Sequence, residues 1–196
     1  MIRRTSVFVL ALFALTAAAP PGRAPRVAIE TSEGRIVVEV AEKQAPITAG
    51  NFLRYVDQKR LDDTNFYRAA RNRLGQGLIQ GGTRNNDFRR LLPAIPHEPT
   101  TKTGLHHVDG TLSMARNTPG TAMGEFFILV GPAPSMDANP RGKGDNAGYA
   151  AFGHVVSGMP VVKKILNGRV DPKAGRGAMK GQMLIKPVKI ITARRL

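Results

Sequence analysis

The chain has 196 residues, no cysteine and a formal net charge of +15. Without cysteine there is no disulfide, no thiolate nucleophile, no thiolate metal centre and no lipid attached through sulfur, so an apolar core alone must hold the fold. The positive excess favours acidic surfaces and clients, but no zinc-finger spacing, basic helical arm or aromatic–basic platform points to specific nucleic-acid recognition.

Arg3 and Arg4 precede a stretch, Thr5 to Ala19, that is mostly apolar or small. This is the n-region and h-region of an export signal, with Ala17 and Ala19 as candidate cleavage positions. The run is shorter than the roughly 20 residues that cross a bilayer as a helix. Residues 1–19 are therefore expected to be removed, leaving the protein in the periplasm. An uncleaved anchor facing the periplasm is the alternative. Pro20 to Pro25 reads as a short tether, and residues 26–196 have the length of one domain.

Arg26 to Glu30 and Arg35 to Val40 predict a hairpin around Thr31-Ser32-Glu33-Gly34, with Gly34 available for positive φ. Ala45-Pro46-Ile47-Thr48 opens a helix, because proline is tolerated in the first turn. Ile47, Phe52, Tyr55 and Val56 are expected on its inner face, with Asn51 and Arg54 on other faces. Short strands follow at Phe66 to Ala70, Leu78 to Gln80, Thr111 to Met114, Phe126 to Val130 and Tyr149 to Val155. Pro132 to Gly148 is a proline- and glycine-rich loop. Met159 to Leu166 predicts a second helix with Val161, Val162 and Ile165 on its buried stripe. Strands around Pro187, from Met183 to Ala193, close the chain. Many strands, two helices and no repeated βα unit exclude a doubly wound sheet and favour an all-β closed barrel, which hides its strand edges.

Several chemistries find no support. The motif Gly-x-Ser-x-Gly is missing, and the spacing of Glu98, His106 and His107 matches no zinc pattern. The glycines at 81, 82 and after 142 are not followed by Gly-Lys-Ser/Thr, so no phosphate loop is expected. No metal and no cofactor are predicted.

Six strings, in order, resemble the cyclophilin-type peptidyl-prolyl cis-trans isomerases, in particular an exported bacterial class. They are Ala45-Pro46-Ile47-Thr48-Ala49-Gly50-Asn51-Phe52, Phe66-Tyr67-Arg68, Gln80-Gly81-Gly82, Gly110-Thr111-Leu112-Ser113-Met114-Ala115-Arg116, Glu125-Phe126-Phe127-Ile128 and Gly148-Tyr149-Ala150-Ala151-Phe152-Gly153-His154-Val155. The resemblance runs from Val27 to about Ala193 and implies an eight-stranded antiparallel barrel capped by two helices. It implies that Arg68 is the catalytic arginine and that Gln80 hydrogen-bonds the substrate backbone or orients Arg68. Phe127 and Met114 become walls of a proline pocket, with Phe126 inside the barrel. Leu78, Ala115, Arg116, Glu125, Met136 and Tyr149 complete the substrate-binding set.

The chain also departs from that family. Gly77 stands where an aromatic wall is usual, and Leu74, in the insertion before it, is a candidate to fold back into the gap. Glu125 replaces a common glutamine and can accept a hydrogen bond or pair with Arg68. Ser135 replaces a tryptophan or phenylalanine. The expected partners are flexible or unfolded polypeptides with Xaa-Pro bonds, met by a monomer that assists the folding of exported proteins. Weak attraction to anionic envelope surfaces follows from the charge. Basic residues between Lys59 and Arg90 favour clients with acidic residues beside proline. A non-enzymatic proline-peptide binding module or holdase on the same fold is the alternative.

Overall fold

A computed structural model describes residues 24–83 and 88–196. The expected export signal and the first part of the tether, through Arg23, lie outside the described residues. Strands β1 (Arg26–Thr31) and β2 (Gly34–Val40) form the expected hairpin, in register from Arg26↔Glu39 to Thr31↔Gly34. Its turn is closed by Thr31, whose Oγ1 donates to the Gly34 carbonyl at 2.7 Å and accepts the Glu33 N–H at 3.1 Å. Gly34 has φ 128°, where a side chain would be strained.

Helix α1 (Pro46–Asp57) follows, with proline in its first turn. It has no acidic residue of its own there. Instead the buried Glu98 accepts the Thr48 N–H at 2.6 Å and the Thr48 hydroxyl at 2.7 Å. A remote carboxylate thus satisfies a helix N-terminus that its own sequence leaves open. The predicted inner face needs two corrections. Ile47 is 37% exposed, whereas Asn51 is fully buried. Asn51 is tolerated there because its Nδ2 donates to the Met123 carbonyl at 2.7 Å and its Oδ1 accepts from Arg54 at 3.1 Å.

The barrel continues with β3 (Thr64–Arg71), β4 (Gly77–Gly82), β5 (Thr111–Met114), β6 (Glu125–Val130) and β7 (Ala150–Ser157). Tyr149 precedes the strand it was expected to begin. A single-turn helix, α2 (Thr100–Thr103), has no counterpart among the expected elements, so the α-helices among the described residues number three rather than two. Helix α3 (Met159–Leu166) buries Val162, Ile165 and Leu166. The two-residue β8 (Val170–Asp171) and the long β9 (Met183–Arg195) complete the chain. Strands neighbour one another in the order β1-β2-β7-β5-β6-β4-β3-β9, every pair antiparallel, and β9 returns to β1 through Val27↔Arg195. The result is the expected closed eight-stranded barrel, with β8 paired to Met183 and Leu184 at the start of β9.

Pro187 lies within β9 rather than between two strands. The pairing of β3 with β9 jumps there, from Phe66↔Val188 to Arg68↔Met183. Proline has no N–H to give a ladder, so it is accommodated where the ladder breaks. The barrel interior is filled by inward-facing side chains, among them Phe66, Ile79, Leu112, Phe126 and Ile128. Phe126 is inside as expected, edge-on to Phe52 of α1 at 5.4 Å and to Phe66 at 5.7 Å. Such pairs add to the burial of the rings.

Candidate active site

The outer face of β3, β4, β6 and β5 carries the candidate residues in one cross-strand row. Arg68 is paired with Gln80, Gln80 with Phe127, and Phe127 with Ser113. Simple alternation would not put Arg68 there. Phe66 points into the barrel, so a regular strand would send Arg68 inward with it. The register instead skips Tyr67, because Phe66 pairs with Gly81 and Arg68 with the adjacent Gln80. This bulge places Tyr67 and Arg68 on the same outer face and returns Ala69 to the core. Gly81 makes room for it, since a Cβ there would lie 2.7 Å from the Asn65 carbonyl oxygen.

The Arg68 guanidinium is held from two sides. Nη1 donates to Gln80 Oε1 at 2.7 Å. Nε and Nη2 donate to Gln182 Oε1 at 2.8 and 2.6 Å. Gln80 is itself oriented, because its Nε2 donates to the Tyr67 hydroxyl oxygen at 2.8 Å. The Tyr67 hydroxyl in turn donates to Glu125. Glu125 is thereby linked to Arg68 through Tyr67 and Gln80. With a carboxylate at the end of the chain, the tyrosine donates to it and accepts from Gln80. That leaves the Gln80 carbonyl, not its amide N–H, facing the guanidinium.

Beside this polar group is an oily recess. Leu78, Phe127 and Leu129 form an apolar cluster on the outer face, joined by Ala115, Met136 and Tyr149. Tyr149 meets Phe127 edge-on at 5.5 Å. Arg116 lies over the Tyr149 ring at 5.1 Å and is clamped by Asp145 through bonds of 2.7 and 2.9 Å and by the Gly148 carbonyl at 3.0 Å. The hydrogen bonds from Arg116 hold the Asp145 carboxyl below its ordinary pKa.

Behind Phe127 sits His107, its ring 6.3 Å away and nearly parallel. His107 Nδ1 is 2.5 Å from Asp137 Oδ1, and its Nε2 is 2.9 Å from the Ser113 hydroxyl. The order Ser–His–Asp has the connectivity of a hydrolase triad. Ser113 and His107 are both buried, so no acyl substrate reaches them; they brace the wall. Burial pushes the His107 pKa down, against the pull of Asp137. Burial pushes Asp137 up, but hydrogen bonds from His107 and His106 outweigh it and its pKa is lowered.

A cleft of about 450 Å³ runs over this surface, lined by Arg68, Leu78, Gln80, Ala115, Arg116, Glu125, Phe127, Met136 and Tyr149. Nine of the ten expected site residues therefore converge. Met114 does not. It is 2% exposed in the barrel core, opposite Phe126, because Ser113 takes the outward position on β5. Leu74 does not fold back either; it is 82% exposed on a turn that Asn72 fixes by accepting the Leu74 and Gln76 N–H groups at 2.9 and 3.0 Å. Gln182, Asp145 and the His107–Ser113 brace were not foreseen. Tyr67 adjoins Arg68 in sequence, but its role depends on the bulge.

The family model for cyclophilin type peptidyl-prolyl cis-trans isomerase/CLD matches residues 26–194. The chain belongs to the cyclophilin-type peptidyl-prolyl cis-trans isomerase family. Relatives of this cyclophilin include a peptidyl-prolyl cis-trans isomerase of Acinetobacter baylyi, 36% identical over 86% of this chain and 84% of that protein. Another, from Streptomyces antibioticus, is 35% identical over 86% of this chain and 96% of that protein. In structure the cyclophilin resembles a Cryptosporidium parvum cyclophilin type peptidyl-prolyl cis-trans isomerase crystallised in the presence of the dipeptide Ala-Pro. The TM-score is 0.66 at 23% identity, covering 86% of this chain and 97% of that one. The protein is thus a peptidyl-prolyl cis-trans isomerase on a cyclophilin barrel.

Proposed function

We propose that this isomerase twists Xaa-Pro bonds by electrostatics at Arg68, with the prolyl ring seated against Phe127, and that its clients are exported polypeptides. The observation that carries the reading is the Gln80–Arg68–Gln182 clamp beside the Phe127 recess. Amide resonance keeps the imide bond planar, and the uncatalysed barrier is about 20 kcal/mol. As the bond twists, its double-bond character fades and a lone pair localises on the prolyl nitrogen. A fixed guanidinium aimed at that nitrogen, or at the prolyl carbonyl, stabilises the twisted state more than the planar one. No bond to the protein forms. The recess of Leu78, Phe127 and Met136 excludes water and holds the ring still while the preceding residue rotates.

Proline-peptide recognition draws further support from the structural neighbour crystallised in the presence of Ala-Pro. Export is supported by Arg3, Arg4 and the apolar run to Ala19. Among the described residues no helix is long and apolar enough to cross a membrane. Two experiments test the proposal. In a protease-coupled assay on an Ala-Pro peptide, Arg68→Ala lowers kcat/KM about a hundredfold, the scale of losing one preorganised donor. Turnover unchanged by that substitution removes Arg68 from the mechanism. Cell fractionation with N-terminal sequencing finds a chain beginning after Ala17 or Ala19 in the periplasm; an intact N-terminus in the membrane fraction supports the anchored form instead.

A further inference from the structure

The turn between β3 and β4 carries an apolar residue that the fold holds in solvent. Asn72 Oδ1 accepts the N–H groups of Leu74 and Gln76 at 2.9 and 3.0 Å, and the Asn72 N–H donates to the Gln76 carbonyl at 2.8 Å. Gly75 completes the turn at φ 76°, where a side chain would be strained. The turn is thereby fixed, and Leu74 at its tip is 82% exposed. It borders a second cleft, of about 470 Å³, that meets the first at Arg68, Leu78 and Met136, but Arg73 and Leu74 line neither cleft. A second apolar side chain, Ile185, is 55% exposed where the β3–β9 register jumps.

Both residues belong to the end of the barrel where β3 finishes and β9 starts. Arg71 donates to Asn167, and the Ala69 N–H donates to the Gln182 carbonyl at 2.9 Å, so both ends of the segment 167–182 lie against the end of β3. This end is crowded with cations. Arg73, Arg169, Lys173, Arg176, Lys180 and Lys186 are all exposed, and among the described residues none of them pairs with a carboxylate. Glu30 and Glu33 are taken by Arg35 and Lys164. Asp109 accepts the Gly131 N–H at 2.6 Å, and Asp171 accepts the Lys173 N–H at 2.8 Å. Gathering like charges in this way opposes folding by mutual repulsion, and a leucine fixed in solvent adds nothing to the core.

We propose that this end of the barrel is a docking surface for a bilayer that carries anionic phospholipid. The cations face the phosphate groups, and Leu74 and Ile185 enter the headgroup layer. The proposal is independent of the isomerase reading, and it gives a place to the weak attraction to anionic envelope surfaces that the net charge predicts. Charge alone would suit any polyanion. Apolar side chains held in solvent beside the cations favour a lipid surface, which gains from their insertion as well as from the charge.

The test is partition of the purified protein between buffer and vesicles of phosphatidylcholine, either alone or with about one third phosphatidylglycerol. Every protein compared has the same N-terminus, so any contribution of residues 1–23 cancels. The wild type is expected to favour the anionic vesicles strongly and to leave them as salt rises from about 0.1 M to about 1 M. Lys173→Gln and Leu74→Ser each weaken the anionic partition about fivefold. Lys43→Gln, after β2 and so at the opposite end of the barrel, changes it by less than about twofold. Equal partition of the wild type onto both kinds of vesicle overturns the surface. An effect of Lys43→Gln as large as that of Lys173→Gln overturns its location. Partition that falls in Lys173→Gln but not in Leu74→Ser identifies a general polyanion patch and overturns the bilayer as its partner. Since vesicle binding is measured without a proline peptide, it succeeds or fails separately from the isomerase reading.

Discussion

The guanidinium of Arg68 is useful only if it does not move when the substrate charge does. Gln182 holds its Nε edge and Gln80 holds Nη1, both through amide oxygens rather than carboxylates. Amide acceptors fix the geometry without supplying a counter-charge of their own. Lysine could not be held this way, because an ammonium has no planar fork. The Tyr67 hydroxyl decides which end of Gln80 faces the arginine. Tyr67→Phe removes the acceptor for Gln80 Nε2, so the amide loses its reason to keep its oxygen toward Arg68. Turnover is expected to fall roughly tenfold, about 1.4 kcal/mol, with KM little changed. Rates of Tyr67→Phe equal to wild type would show that the relay sets nothing. Gln182→Ala should act in the same sense, since it removes the acceptor for two Arg68 donors. Sequence made Arg68 and Gln80 visible because both fall in short recognisable strings. Gln182 is an isolated glutamine far along the chain, placed beside Arg68 only by the β3–β9 pairing, and nothing local marks it.

At the level of strands and helices, a two-residue period explains most of the site. It puts Leu78 and Gln80 of β4, and Glu125, Phe127 and Leu129 of β6, on one outer face, and it correctly sends Phe126 inward. The resemblance, not the period, misled at Met114: alternation puts Met114 in the core with Leu112 and makes Ser113 the outward residue of β5. Alternation fails at Tyr67, where the bulge inserts one residue and turns Arg68 outward. A bulge depends on the partner strand, here on the glycine at 81, and so is hidden from a local reading of β3. The α1 terminus shows a similar limit: its acceptor is Glu98, fifty positions from Thr48. Glu98→Ala leaves a buried N–H and hydroxyl without their acceptor and should cost about 1–3 kcal/mol in urea unfolding. Glu98→Gln, which retains a carbonyl oxygen, should cost less. Equal stability of the alanine variant and wild type would show that the cap contributes nothing.

The brace behind Phe127 links an element to pH. His107 has a folded pKa below the ordinary 6.5 because it is buried. The unfolded chain therefore binds its proton first, and stability falls as pH drops below about 6.5 toward the lower folded value. Asp137, lowered from 3.8, adds a second loss at more acidic pH, where protonation removes its bonds to His107. Urea midpoints measured between about pH 7.5 and 5 should decline for the wild type, and the decline should be shallower in His107→Gln. A variant slope matching the wild type would mean the brace does not titrate with folding.

On the scale of the whole molecule, the positive excess is met at the site by two acids, Glu125 in the cleft lining and Asp145, which pairs with Arg116. Asp57, Asp62 and Asp63 are occupied at the foot of the barrel, pairing with Arg195, Arg194 and Lys189 at 2.7, 2.6 and 2.6 Å. These bonds fasten β9 to α1 and to the turn before β3, which secures barrel closure rather than shaping the cleft. Around the clefts stand Arg68, Arg71 and Arg116. The balance stays positive, and a net field over a groove raises the encounter rate of oppositely charged segments, an advantage that salt removes. Screening lengths shrink from about 10 Å at 0.1 M to about 3 Å at 1 M, so the effect is accessible to a simple titration. Matched peptides with Glu-Pro or Lys-Pro should differ in kcat/KM at low salt by about an order of magnitude, with Glu-Pro the faster, and should converge as salt rises. Because KM and association carry the field, kcat should differ far less than kcat/KM. Identical low-salt rates for the two peptides would mean that the arginines around the clefts serve local geometry alone and that the surplus charge lies too far from the groove to choose among clients.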